Sequence, residues 1–197
     1  DVLRYRATSY PQFRHGPLVE TRTLRFLSAL PANSNPRTQA LAAQMRADPA
    51  LSAGGTQALV DAALNRLRTG GYEYTLEPGV YGEQTADEFW FDRKAGFCEH
   101  IASSFVILMR AANVPARVVT GYQGGERNPV DGYWTVRQSD AHAWAEVWIE
   151  GRGWVRVDPT GAVSPGRIGA FTRLRAPRGA FGSAVDSVIS PGLAQQL

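Results

Sequence analysis

The chain has 197 residues, 44% of them hydrophobic, which suits one domain with a sizeable core and room for arms at either end. Its net charge of +3 is spread along the chain, with no basic stripe and no recognition motif, so nucleic acid is not an expected partner. One cysteine excludes an internal disulfide, and no apolar run reaches membrane-spanning length.

The best apolar candidate, Ile101 to Val114, is broken by Arg110 and reads as a core helix. The sequence opens without a signal peptide and so reads as a mature or excised segment. Arginine supplies nearly all of the basic charge, and Lys94 is the only lysine.

Residues 1–30 read as an N-terminal β arm. Val2–Arg6 and Arg22–Leu27 alternate apolar and polar residues, with Tyr10-Pro11 and Gly16-Pro17 between them. Asn33-Ser34-Asn35-Pro36 starts a helix carrying Leu41 and Met45. Thr56 is expected to cap a second, with Leu59, Val60, Ala63, Leu64 and Leu67 on one face and Gly70-Gly71 at its end. Tyr72–Leu76 reads as a short extended segment. Thr85-Ala86-Asp87-Glu88 fits a capping box, which places Phe89-Trp90-Phe91 on a short helix.

The next helix carries the cysteine. Gly96 precedes Cys98, and Ile101, Phe105, Val106, Leu108 and Met109 follow at helical spacing. Asn113 suits the left-handed position at its end, and Pro115 cannot continue it. The period then changes to two. Ala116–Gln123, Tyr133–Gln138, His142–Ile149 and Trp154–Asp158 read as strands, with a polar loop at Gly124–Gly132 and a hairpin turn at Glu150–Gly153. After Ile168 spaced proline and glycine residues suggest an irregular tail, 169–197, outside a core of 31–168. Helices first and antiparallel strands after make an α+β layout, the cysteine helix packed on the sheet.

The first turn of a helix favours an anion, so Cys98 is placed to act as a thiolate; the bland alternative is an inert packed thiol. A thiolate nucleophile needs a base. His15 reads as a surface residue. His100 lies roughly 200° around the helix from Cys98 and is expected to pack beside it. His142 opens a strand among small residues, and Asp158 ends the next strand one hairpin away. Singly these could be a structural histidine and a turn former. Together Cys98, His142 and Asp158 have the types needed for nucleophile, base and orienter.

The hairpin register tests this triad. Side chains alternate faces, so His142 and Asp158 share one only if the turn has an odd number of residues. A loop centred on Gly151 puts Asp158 opposite Trp144, diagonal to His142. A loop centred on Arg152 moves it opposite Glu146, and a two-residue turn flips it to the other face. The first register is predicted.

Gly96-Phe97-Cys98-Glu99-His100, Val114-Pro115-Ala116-Arg117 through Gly121-Tyr122, Asp140-Ala141-His142-Ala143-Trp144, and Gly153-Trp154 to Asp158-Pro159-Thr160 resemble, in this order, the bacterial transglutaminase-like superfamily. The motifs span roughly Asp87 to Ile168, and the Leu30–Pro36 stretch is similar too. Asn113 stands where the family often has glycine; both suit a helix terminus.

The resemblance implies a papain-like core with Cys98, His142 and Asp158 as catalytic residues. It also implies acyl transfer of the protein-glutamine gamma-glutamyltransferase type through a thioester, from a protein or peptide carboxamide to an amine. Cysteine protease, amidase or non-catalytic interaction domain are its other outcomes. It further implies a periplasmic domain of a bacterial inner-membrane protein, with membrane helices outside this segment. The Cys98 backbone N–H should form part of an oxyanion hole. Trp90 is a candidate for its second donor, or a core aromatic. No cofactor or metal is expected: there is no Ca²⁺ loop, and Cys98, His100, His142 and Asp158 lack zinc-ligand spacing.

Overall fold

The computed structural model of the chain describes residues 6–10 and 12–166. Its first element, α1 (Arg22–Phe26), is a short helix where the alternation predicts a strand. Thr21 stands at its N-cap and accepts the Leu24 N–H at 3.4 Å. Leu24 is buried, but Phe26, the other half of the apparent alternation, is 69% exposed. Six residues are too few to separate a period of 2 from one of 3.6. The expected strand Val2–Arg6 lies outside the described residues except for Arg6, which is in no regular element; the tail 169–197 lies wholly outside them. Among the described residues of the N-terminal segment, His15 to Leu18 pack on the body, though not as a strand. The N–H groups of Trp154 and Gly151 donate to the carbonyls of His15 and Leu18, and the Trp148 indole donates to that of Pro17.

α2 (Pro36–Ala47) starts where the sequence places it. α3 (Pro49–Thr69) joins two helical runs: the first starts at Pro49, where the Asp48 carboxylate accepts the Ala50 N–H at 2.8 Å, and the second starts at the expected Thr56. It bends at Gly55, whose φ of 63° only glycine adopts at little cost. Leu59, Val60, Ala63 and Leu67 are its buried face. A two-residue strand β1 (Glu73–Tyr74) follows. α4 (Thr85–Asp87) runs into a π-helical turn over Glu88–Arg93, and β2 (Ala95–Gly96) pairs parallel with β1.

Thr85 does not cap α4. Its N-cap is Gln84, and the capping oxygen comes from across the fold: Asn35 Oδ1 accepts the Ala86 and Asp87 N–H groups at 2.9 and 3.2 Å. Asp87 returns the bond to α2, accepting from the Arg37 N–H at 2.9 Å, the Thr38 N–H at 2.7 Å and the Thr38 hydroxyl at 2.6 Å. Each helix start thus satisfies the other's orphan donors.

α5 (Cys98–Ala111) is the centre of the core. Ile101, Phe105, Leu108 and Met109 are fully buried, and α2, α4, β3 (Ala116–Tyr122) and β6 (Ala141–Ile149) pack on it. Asn113 takes the left-handed conformation at its end, φ 60°, and the Val114 N–H returns to the Met109 carbonyl at 2.9 Å. β4 (Glu126–Arg127), inside the expected polar loop, and β5 (Trp134–Thr135) form a small hairpin; of the expected strand Tyr133–Gln138 only β5 is strand, and Gln138 opens a 3₁₀ turn, Gln138–Asp140. β6 (Ala141–Ile149) and β7 (Gly153–Val157) complete an antiparallel sheet of order β3-β6-β7, and α6 (Thr160–Val163) follows. Ala145 and Val147 of β6 join the α5 core, leaving His142, Trp144, Glu146 and Trp148 to the opposite face of the strand. This is the α+β layout of helix on antiparallel sheet.

Candidate active site

Phe97 is the N-cap of α5, so Cys98 is its first residue. The first intrahelical bond runs from the Ile101 N–H to the Phe97 carbonyl, which leaves the Cys98 N–H among the donors without an intrahelical partner. The approach to the helix requires glycine: a Cβ on Gly96 would lie 2.7 Å from His100 Cβ. The thiol is 6% exposed and packs against Ala102 and Ala143. Ala143 adjoins His142, so the contact that buries the thiol brings the start of β6 to the start of α5.

His142 is 7% exposed. Its Nε2 lies 2.8 Å from Asp158 Oδ2, and Cys98 is near enough to the ring to raise its pKa. With Nε2 engaged, Nδ1 is the nitrogen left for the thiol. Burial pulls the imidazole pKa down. Hydrogen bonds from Asp158 and Cys98, and the charges of both, outweigh burial and carry it from 6.5 to about 9. The imidazole is therefore charged at neutral pH, flanked by a carboxylate and the cysteine sulfur.

The hairpin register is the one expected. Ile149 pairs with Gly153 and Ala145 with Val157, so the turn holds three residues centred on Gly151, whose φ is 73°. One step beyond the last pair, Asp158 stands opposite Trp144 and diagonal to His142. The structure thus joins His142 to Asp158 by a hydrogen bond and sets Cys98 beside the imidazole.

The remaining candidates lie elsewhere. Trp90 is fully buried, and its indole N–H donates to the Ser104 carbonyl at 3.1 Å, so it is a core aromatic and not an oxyanion donor. His100 packs between Phe97 and Tyr81, with ring centroids 4.4 and 4.6 Å away, and burial lowers its pKa. His15 is exposed. Lys94, which could have stood at the mouth of the site, instead donates to the Gly70 carbonyl at 3.0 Å and lies over the Tyr72 ring. Among the described residues no group of three histidine, cysteine or acidic side chains is arranged to hold a metal ion.

Two neighbours escaped the sequence reading. The Trp144 ring stacks near His142, centroids 6.1 Å apart, and the Arg156 guanidinium lies 4.7 Å over Trp144 while donating to Asp158 Oδ2 at 3.1 Å. The signal was present: positions 156 and 158 of one strand share a face, as do 142 and 144.

A family model described as the transglutaminase-like superfamily matches residues 39–159. A protein-glutamine gamma-glutamyltransferase of Pseudomonas aeruginosa is 45% identical over 166 residues, which is 84% of this chain but 24% of that protein. The crystal structure of the periplasmic domain of TgpA from P. aeruginosa superposes with a TM-score of 0.71 at 44% identity, covering 79% of this chain and 54% of that one. The same domain bound to ethylmercury gives 0.69 at 46%, covering 76% and 52%. The chain therefore spans about a quarter of the first relative and about half of the solved domain. No helix of the described residues is long and apolar enough to cross a membrane.

Proposed function

The chain belongs to the transglutaminase-like superfamily, and from that membership we propose that it is a cysteine-dependent acyltransferase of the protein-glutamine gamma-glutamyltransferase type. Cys98 is the nucleophile, His142 the general acid and base, and Asp158 the orienter. The observation that carries the reading is the 2.8 Å hydrogen bond from His142 to Asp158 beside Cys98, a cysteine at a helix start.

In the first half-reaction the Cys98 thiolate attacks the carboxamide carbonyl of a protein-bound glutamine. The developing oxyanion is met by the Cys98 N–H, which no helical carbonyl occupies. The His142 imidazolium protonates the leaving nitrogen, ammonia departs and a thioester remains. In the second half, neutral His142 takes a proton from the incoming amine as its nitrogen attacks the thioester. The new amide leaves, and the thiolate–imidazolium pair is restored. Asp158 holds the ring with Nε2 toward itself throughout. If water replaces the amine, the same steps give hydrolysis.

Amine transfer is favoured by the state of the single lysine. A transferase that cross-links through lysine attacks itself unless its own amines are scarce or held, and here the only lysine is hydrogen-bonded to the end of α3. Likeness to a periplasmic domain supports the same setting for this one, anchored by membrane helices outside the segment. The test is incubation with a labelled primary amine and a glutamine-rich protein. The parent should incorporate label and Cys98→Ala should not. Cleavage of that protein without labelling would favour the protease reading.

A further inference from the structure

We propose that Arg156 is a positioning residue of this site, pinning the Asp158 carboxylate and moderating its hold on His142. The proposal rests on the acyl-transfer reading above. It starts from which ion pair the sheet did not make. Arg156 stands directly opposite Glu146 on β6, the natural cross-strand partner. Glu146 is instead held by Arg117 of β3, with nitrogen–oxygen distances of 2.7 and 2.8 Å. Arg156 turns along its own strand toward Asp158.

Four side chains then close a ring of contacts. His142 binds Asp158, Asp158 binds Arg156, Arg156 covers Trp144, and Trp144 stacks near His142. Both donors reach the same oxygen, Oδ2; Oδ1 is buried with no hydrogen-bond partner among the described residues. A carboxylate held by one donor can rotate and exchange its oxygens. Two donors converging on Oδ2 from different directions remove that freedom. The guanidinium suits this because its flat face lies on the indole while its edge donates.

The second consequence is electrostatic. The charged and titratable groups around the imidazole are Asp158 and Arg156 from β7, Cys98 from α5, and, farther along its own strand, Glu146 paired with Arg117 of β3. Arg156 shares the oxygen that stabilises the imidazolium, so part of that oxygen's charge is answered elsewhere. A proton held less tightly is passed more readily to the leaving nitrogen. Arg156 is half exposed, its side chain at 53%, so the effect is screened by solvent and salt.

The experiment follows the His142 ring proton by NMR across pH in the parent, Arg156→Gln and Arg156→Lys, with kcat and KM for amine incorporation measured on the same proteins. Arg156→Gln should raise the His142 midpoint by about half a pH unit at low salt and lower kcat several-fold with KM little changed. Arg156→Lys should keep the midpoint and recover part of kcat, since it restores the charge but not the flat stack. A midpoint in Arg156→Gln that stays put or falls overturns the proposal, as does an unchanged kcat. If Arg156→Gln fails to fold, Arg156→Lys decides: a kcat equal to the parent's overturns the pinning role. The titration needs no turnover. Label incorporation that survives Cys98→Ala would sink the acyl-transfer reading while leaving the midpoint shift to judge Arg156.

Discussion

Asp158 lies within 2.8 Å of His142 because the turn between their strands has three residues. The oddness of that number sets the face, and its centre at Gly151 sets the diagonal. Deleting Gly151 leaves a two-residue turn and moves Asp158 to the other face of the sheet. Label incorporation should fall by roughly a hundredfold or more, as for a misplaced triad member. Gly151→Ala tests the same site more gently. Nothing lies within 4 Å of the added Cβ, so its cost is only the left-handed backbone, about 1 kcal/mol, with activity kept. Substantial activity in the deletion variant would show that Asp158 is only a turn residue.

The His142 titration has a defined sign. Its pKa is raised to about 9, against burial, by Asp158 and Cys98, so the imidazole keeps its proton through neutral pH and loses it as pH rises through about 9. Asp158→Asn removes a hydrogen-bonded charge that raises the value, so the midpoint must fall, with burial then opposed by Cys98 alone. Cys98→Ala should also lower it. NMR titration of the ring checks both directions, and a midpoint near 6.5 in the parent would contradict the assigned partners.

Asp87 is buried and accepts three hydrogen bonds from the start of α2. Asp87→Ala orphans these donors and should cost roughly 2–3 kcal/mol, from the typical cost of a lost cap plus a buried unsatisfied group. In a chain of this length that is about 5–10 °C in Tm. Thr85→Ala should change Tm little, because its hydroxyl is not the cap of α4. Thermal unfolding of the two variants should separate them, and equal losses would contradict the reciprocal caps.

Lys94 should stay unmodified during turnover. Incubation with a glutamine donor peptide and no added amine should give no peptide–domain conjugate by intact mass, since its ammonium is bound to the Gly70 carbonyl. A conjugate at Lys94 would mean that this contact opens readily.

The features legible in the sequence were those set by neighbours a few residues apart. The cysteine at a helix start follows from Gly96 and an apolar run of period 3.6, and its stop from Asn113 before Val114-Pro115. The face shared by His142 and Asp158 follows by parity once the turn between their strands is given three residues, because strand side chains alternate in a regular pair. Tertiary structure decided what local pattern leaves degenerate. Residues 22–26 fit either period, and a buried Leu24 beside an exposed Phe26 selected helix. Trp90 carries one donor that could point to the site or the core, and the Ser104 carbonyl took it. Asn35 and Asp87 are 52 positions apart, and only the docking of α2 beside α4 makes each the other's cap. Arg156 had two acidic residues within reach, and Arg117 from a third strand removed one of them. Periodicity is a property of the backbone and can be read along the chain. The partner of a side chain is a competition among groups that only folding brings together.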